Sequence, residues 1–219
     1  MPRLLFEKTG NAVWISHLDL MRVFQRAFKR AGLPLTHTQG FNPRPSVSIA
    51  LPLSVGTESR CELLDFDLDG DTVPTDEIFK RLNCVLVEGV RVLQVYETGR
   101  KLRDLALMRC TVMLEYDAPL PSGAGEKLAS LFASEQLIVA KKTKNGIQDQ
   151  DIIPMIRSLT ICTVSDFSIE LDALICCQNP TLNPTQLVGA IALYAPELKP
   201  DHSRCCRLEL FDNREEIFR

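Results

Sequence analysis

The sequence predicts an α+β protein of two tandem ferredoxin-like (split βαβ) sandwiches, residues 1–103 and 104–219. In the first hundred residues, strand-like and helix-like segments follow one another in the order β-α-β-β-α-β. A similar order recurs less regularly after a hydrophilic joint at residues 101–104. The chain has 219 residues and is 45% apolar, which is enough material for two small cores.

The first half begins with two segments that we interpret as extended, Arg3–Glu7 and Ala12–Ile15. A helix follows, because Ser16 is a typical cap and apolar residues recur at helical spacing until Gly32 and Pro34 end it. The remaining elements are a strand at 46–53, a strand at 61–71 that alternates Leu64 and Phe66 inward with Asp65 and Asp67 outward, a helix at 74–86 and a strand at 90–97.

The second half repeats this scheme with interruptions. Asn183 followed by Pro184 is a typical start for the last helix. The predicted elements are a strand at 105–116, a helix at 123–134, a strand running into a polar turn at 136–146, a bend at Pro154, a hairpin at 159–177, a helix at 183–194 and a strand at 203–211.

Composition excludes several classes of protein. No stretch approaches the roughly 18–20 apolar residues of a membrane span, and the N-terminus lacks the apolar core of a signal peptide. We therefore expect a cytoplasmic protein with no membrane association. The eight cysteines form no CxxC pair, and there are only three histidines. This pattern predicts free thiols, no metal site and no bound cofactor.

Positive charge is concentrated near the N-terminus. Residues 1–50 carry seven Lys or Arg and two acids, a charge of +5, whereas the rest carries 18 basic and 26 acidic residues, a charge of −8. This asymmetry predicts a local electropositive face on an otherwise acidic protein. Chance clustering on a solvated surface is the alternative.

Four of these cations share one face of the first helix. At 100° per residue, Arg22, Arg26 and Lys29 lie opposite the apolar stripe, and Arg30 lies on their flank. Such a face can follow a phosphate backbone, and arginine pairs with phosphate through two parallel hydrogen bonds. An ordinary solvated helix face is the alternative, and Asp19 could neutralise Arg22 or Arg26.

The loop at residues 36–45, THTQGFNPRP, is polar and stiff. Gly40 permits unusual backbone angles, and two prolines fix the chain around Asn42 and Arg44. Phe41 is either an anchor into the core or a platform on which a base stacks. The loop is therefore a candidate nucleic-acid-binding site, in which Gln39 and Asn42 would contact a base or sugar.

His17 and Asp19 are the candidate catalytic residues. The helix dipole disfavours a protonated imidazole at a helix start, so that His17 could act as a base. Residues two apart on a helix do not face each other, however, which favours a packing or capping role. In a simple split βαβ unit His17 and the loop would also be roughly 22 Å apart along the helix.

The segments ISHLDLMRVFQRAFKRAGLPL and QGFNPRPSVSIALPLSVGTES, followed by CE, resemble the bacterial radical SAM-linked protein family, a domain of unknown function. The resemblance is dense over residues 1–65. Thr38 stands where a serine is usual, and Arg44 where histidine is common, which argues against a catalytic histidine there. The matching positions are Ser16, His17, Asp19, Arg22, Arg26, Arg30, Ala31, Pro34, Gly40, Phe41, Asn42, Pro43, Pro45, Gly56, Ser59 and Glu62.

The resemblance implies a radical SAM protein as partner, because members are encoded beside such a protein or fused to it. Together with the basic helix and the loop, it leads to the hypothesis of an RNA-binding or substrate-presenting accessory that acts on tRNA or rRNA. Two alternatives stay open: an RNA-processing or modifying enzyme that uses His17 and Asp19, and a protein-docking module for the radical SAM partner.

Overall fold

The computed structural model describes residues 2–143 and 146–219. The chain divides into two compact units, one of residues 1–104 together with Arg219 and one of residues 105–218. The boundary predicted from the sequence lies between residues 103 and 104. Each unit combines helices with antiparallel strands, so the predicted α+β class is confirmed.

The first unit contains four strands and two helices in the predicted order. Its strands lie in the order β4-β1-β3-β2, and each neighbouring pair is antiparallel. The elements are β1 (Pro2–Lys8), α1 (His17–Arg30), β2 (Val47–Ile49), β3 (Glu58–Phe66), α2 (Thr75–Asn83) and β4 (Val90–Glu97).

Helix α1 forms as its sequence predicts. The Asp19 N–H donates to Ser16 Oγ at 3.2 Å, which caps the first turn. Gly32, with φ +66°, ends the helix in the left-handed region. The apolar face packs on the sheet, where the Phe24 ring meets Phe6 edge to face at 4.7 Å between centroids. Its buried residues are Leu20, Phe24, Ala27 and Phe28.

The segment before α1 differs from the prediction. Residues Gly10–Trp14 form a 3-10 helix, not a strand. Gly10 has φ +55°, which breaks the extended backbone directly after β1. The Ile15 N–H then donates to the Ala12 carbonyl at 3.0 Å and closes the turn. As a result the Trp14 side chain is 69% exposed.

Strand β3 corrects a second prediction, because Asp65 does not face solvent. Asp65 and Arg3 are both buried, and the guanidinium donates to both carboxylate oxygens, at 2.6 and 3.1 Å. Arg3 also donates to the Arg100 carbonyl at 2.8 Å. The segment after β4 therefore lies over this face of the sheet. Alternation of apolar and acidic residues predicts a solvated face, but it cannot reveal a carboxylate buried with its own cation.

The second unit has a four-stranded antiparallel sheet in the order β10-β5-β9-β8, with β6 and β7 as a separate hairpin. Lys144 and Asn145 of the predicted polar turn lie outside the described residues. The elements are β5 (Leu107–Glu115), α3 (Ala124–Phe132), β6 (Ile138–Thr143), β7 (Gly146–Asp151), β8 (Ile156–Val164), β9 (Ser168–Cys176), α4 (Pro184–Tyr194) and β10 (His202–Phe211).

The predicted start of α4 is confirmed. The Asn183 side chain accepts from the Thr185 N–H at 3.0 Å, and Pro184 occupies the first helical position. The Asn183 N–H donates to the Gln186 side chain at 3.0 Å, which completes a capping box.

Candidate nucleic-acid interface

The loop between α1 and β2 is a closed hairpin. The Thr38 N–H donates to the Arg44 carbonyl at 2.9 Å, and the Arg44 N–H returns a bond to Thr38 Oγ1 at 3.0 Å. The Ser46 N–H donates to the Thr36 carbonyl at 2.8 Å, and Thr36 itself is bonded to the Asp67 carbonyl at 3.0 Å, just beyond β3. Both ends of the loop are therefore attached to the sheet, which lowers the entropy that it would lose on binding.

The tip of this hairpin presents side chains that the fold does not use. Gly40 has φ +133°, a conformation that favours glycine. Phe41 is fully exposed, so that of the two roles predicted for it the core anchor is excluded. Gln39, Asn42 and Arg44 are exposed too, and within residues 2–143 and 146–219 their side chains make no hydrogen bond or ion pair.

The four cations predicted on α1 divide into two pairs. Arg22 forms an ion pair with Asp19 at 2.7 Å, and Arg30 donates to the Val85 carbonyl. Arg26 and Lys29 are exposed, and among the described residues neither has an ion-pair or hydrogen-bond partner. Two of the four predicted phosphate ligands on the helix are therefore uncommitted, in the sense that no described residue neutralises them.

A groove of about 420 Å³ lies between the end of α1 and the base of the loop. It is lined by Gln25 and Lys29 of α1, the turn at residues 32–35, and His37 and Pro45 of the loop. The groove therefore joins the basic helix to the loop. His37 belongs to the loop that the sequence predicts as a binding site, whereas Gln25 is not among the predicted site residues. Only the position of Gln25, one turn before Lys29 on the same helix face, could have indicated it.

Two acidic residues, Asp67 and Asp69, lie along one side of the groove. Thr36 Oγ1 donates to the Asp67 carboxylate at 3.4 Å, and the Asp69 N–H donates to the Pro34 carbonyl at 2.8 Å. The cations without a partner among the described residues therefore lie on the α1 side of the groove, at Arg26 and Lys29, and on the loop, at Arg44. Lys29 and Arg30 also occupy the last turn of α1, where cations offset the helix dipole.

Two of the seven cations in residues 1–50 do not contribute to any surface. Arg3 is buried with Asp65, and Lys8 is buried with its ammonium donating to the Val13 carbonyl at 3.1 Å. Burial lowers the pKa of Lys8, while the nearby Glu62 carboxylate acts in the opposite direction. The formal charge of +5 therefore overstates the electropositive face that the sequence predicts.

The candidate catalytic residues His17 and Asp19 form no hydrogen bond with each other in the described part of the chain, which agrees with the packing or capping role that the sequence favours. One Asp19 oxygen accepts from Ser16 Oγ at 2.7 Å and the other from Arg22 at 2.7 Å. The Ser16 bond first, and then the Arg22 bond, lower the pKa of Asp19, which keeps it ionised. His17 Nδ1 is buried, and no described atom pairs with it. Both residues lie at the end of α1 opposite the groove.

Near that end of α1, three large apolar side chains are exposed. Trp14, Leu18 and Val55 are 69, 67 and 54% exposed. The Gly56 N–H donates to the Val13 carbonyl at 2.9 Å, and a Cβ on Gly56 would lie 3.6 Å from the Trp14 ring. Sequence reasoning did not find these residues, because the extended segment predicted at 12–15 would have alternated its side chains between two faces.

Neither a cluster of metal ligands nor a helix that could span a membrane occurs in residues 2–143 and 146–219. No group of three or more His, Cys, Asp or Glu side chains is placed there to hold a metal ion. None of the helices described is long and apolar enough to cross a membrane. All eight cysteines are free thiols.

Comparison with solved structures places the fold among α+β proteins. A chain of a Cbf5-Nop10-Gar1 complex superposes with a TM-score of 0.54 at 6% identity, covering 95% of this chain and 48% of that one. A chain of an H/ACA RNP bound to a substrate RNA containing 2'-deoxyuridine gives 0.50 at 6% identity, covering 94% and 46%. This chain thus spans about half the length of each of these two chains.

Sequence comparison gives a family and no activity. No curated protein matches the chain. The model of a family described as an uncharacterized protein conserved in bacteria, DUF2344, matches residues 2–184. The chain belongs to this bacterial DUF2344 family.

Proposed function

We propose that this chain is an RNA-binding accessory protein that holds RNA on the surface formed by α1 and the loop at 36–45. The observation that carries the proposal is the groove between them. Lys29, which has no partner among the described residues, lines this groove, and Arg26 follows the lining residue Gln25 on α1. Cations without partners give up no ion pair when they meet phosphate, and they release counterions from the RNA. Arg44 adds a third uncommitted cation on the loop.

The positions on the helix support a continuous binding surface. At 100° per residue, Gln25, Lys29, Arg22 and Arg26 fall within an arc of roughly 100° on α1. The groove therefore opens at one edge of the basic face. Arg22 can exchange Asp19 for a phosphate at little cost, because exposed ion pairs contribute only about 0–1 kcal/mol.

We propose a tRNA or rRNA as the ligand and a radical SAM enzyme as the partner, in the bacterial cytoplasm. The partner rests on the sequence resemblance alone. One of the similar structures comes from an RNP bound to a substrate RNA, which agrees with RNA as ligand, although the likeness is one of fold only.

We also propose that both units are ferredoxin-like and that the β6–β7 hairpin is an insertion in the second unit. The antiparallel orders β4-β1-β3-β2 and β10-β5-β9-β8 support this, since corresponding strands occupy corresponding positions once the hairpin is set aside.

The test is binding of the purified protein to total small bacterial RNA across a salt series. We expect binding to weaken with salt, and Arg26→Glu/Lys29→Glu to reduce the salt slope by about 2, one for each lost phosphate contact. Arg157→Glu/Arg214→Glu is the matched control, because both arginines are exposed in the second unit and the charge change is identical. Absence of binding by folded protein, or equal effects of the two double variants, would refute the proposal.

A protein-docking module is the second candidate, favoured by the exposed Trp14, Leu18 and Val55. A radical SAM partner held there should be retained when tRNA is added, whereas a partner held on the basic face should be displaced.

The positions of His17 and Asp19 do not support the enzymatic alternative, because both carboxylate oxygens of Asp19 accept hydrogen bonds from Ser16 and Arg22. It would require that His17→Ala abolish turnover while RNA affinity is kept.

A further inference from the structure

We propose that the α1–loop surface selects unpaired RNA: the groove takes one nucleotide, and Phe41 stacks on another base of the same strand. This inference rests on the RNA-binding function proposed above and narrows its ligand to single-stranded or looped RNA.

The groove has the size and chemistry for one nucleotide. Its volume of about 420 Å³ is near the lower end of ligand pockets, which span roughly 300–1,000 Å³. Pro34 and Pro45 line it without being buried and supply an apolar surface for the face of a base. The Gln25 amide can both donate to and accept from a base edge, and Lys29 can meet the phosphate.

Phe41 indicates what the loop tip contacts. A fully exposed phenyl ring gains nothing from the fold, and the hairpin bonds between Thr38 and Arg44 hold the tip away from the core. An aromatic ring on such a support offers a flat face to a base. Inside a duplex both faces of each base are covered by stacked neighbours, so the ring can stack on an unpaired base but not on a base in the interior of a helix.

The surroundings of the ring favour nucleic acid over a purely apolar ligand. Gln39, Asn42 and Arg44 surround Phe41 in the loop and are polar, exposed and uncommitted within the described ranges. Duplex RNA is recognised mainly through phosphates and 2'-hydroxyls, a task that needs no aromatic tip. A stacking ring beside amides and a guanidinium is typical of single-strand recognition.

The experiment measures fluorescence anisotropy with a labelled 12-nucleotide RNA of mixed sequence, presented either alone or annealed to its complement. The proteins are the full chain, Phe41→Ala, Phe41→Trp and the control Phe167→Ala, which removes a half-exposed ring in the second unit. We expect the single strand to bind at least about tenfold tighter than the duplex. Phe41→Ala should weaken single-strand binding about 5- to 150-fold and leave duplex binding unchanged.

Phe41→Trp should keep the affinity and add a tryptophan signal that the single strand quenches and the duplex does not. Equal or tighter binding of the duplex, or a Phe41→Ala variant that matches the Phe167→Ala control, would overturn the inference while leaving RNA binding in place. If neither RNA binds, the proposed function itself fails. Circular dichroism of each variant ensures that a loss reflects the surface and not the fold.

Discussion

Strand β1 and helix α1 supply six of the seven cations in the first fifty residues, and the two elements use them in opposite ways. Arg3 and Lys8 of β1 are buried and bonded within the first unit. Arg26 and Lys29 of α1 are exposed, and no partner for them is found in the described residues. A count of charges in a sequence therefore mixes groups that stabilise a fold with groups that are free to bind.

The largest effect should come from separating the buried pair on β1 and β3. Asp65→Ala leaves the Arg3 guanidinium buried beside a missing carboxylate, and breaking such a pair costs about 3–5 kcal/mol. Urea unfolding should show this loss. Arg3→Met/Asp65→Leu replaces both charges with apolar groups and should recover most of it. A small loss of unfolding free energy in Asp65→Ala would mean that the cations of β1, like those of α1, contribute little to stability.

Lys8 should make the stability of the chain depend on pH. Because burial lowers its pKa, the unfolded chain holds more protons than the folded one between the lowered value and 10.5. The free energy of unfolding should therefore rise with pH across that interval. Lys8→Met should remove this rise, which urea titrations at several alkaline pH values would reveal as a difference between the two proteins. Parallel curves would contradict the assignment.

A smaller effect concerns Arg22, which is exposed like Arg26 and Lys29 but, like Arg3, is paired with a carboxylate, that of Asp19. Asp19→Asn should release the guanidinium, raise RNA affinity by up to about tenfold and steepen the salt slope by about 1. Glu135→Gln, which removes one exposed negative charge from the second unit, is the control. Equal gains in both variants would show that only net charge matters.

The smallest effect is expected for the stability of the α1 variant. Arg26→Glu and Lys29→Glu change exposed side chains without partners in the described residues. Arg26→Glu should keep the free energy of unfolding within roughly 0.5 kcal/mol of wild type. Lys29→Glu should cost about 0.3–1 kcal/mol more, because it places an anion in the last turn of α1. Urea unfolding provides the measurement. A large loss would place these cations, like those of β1, among the groups that hold the fold.

Periodicity was sufficient to predict α1 and the order of elements in the first unit, because the cap, the apolar stripe and the terminating Gly32 all indicate the same helix. It failed where a long-range contact decides the outcome. Asp65 is buried because Arg3 lies directly opposite it on the neighbouring strand, and the groove exists because the loop packs beside the end of α1. Neither contact leaves a local pattern in the chain.

The same limit applies to the candidate site. The sequence indicated Phe41, Asn42 and Arg44 because stiff polar loops are uncommon without a function. It could not distinguish Arg22, which forms an ion pair with Asp19, from Arg26, which forms none with any described residue. Spacing along a helix allows such a pair but does not show whether the side chains adopt it.

The hydrogen bonds that close the loop at Thr38 and Arg44 have a consequence for evolution and engineering. They separate the five tip residues, 39–43, from the sheet, so that a change at the tip need not be transmitted to any strand. The sequence of the tip can therefore be changed while the rest of the unit is preserved. Grafting a tip of different sequence onto this chain would then change what it recognises without the need to rebuild its core.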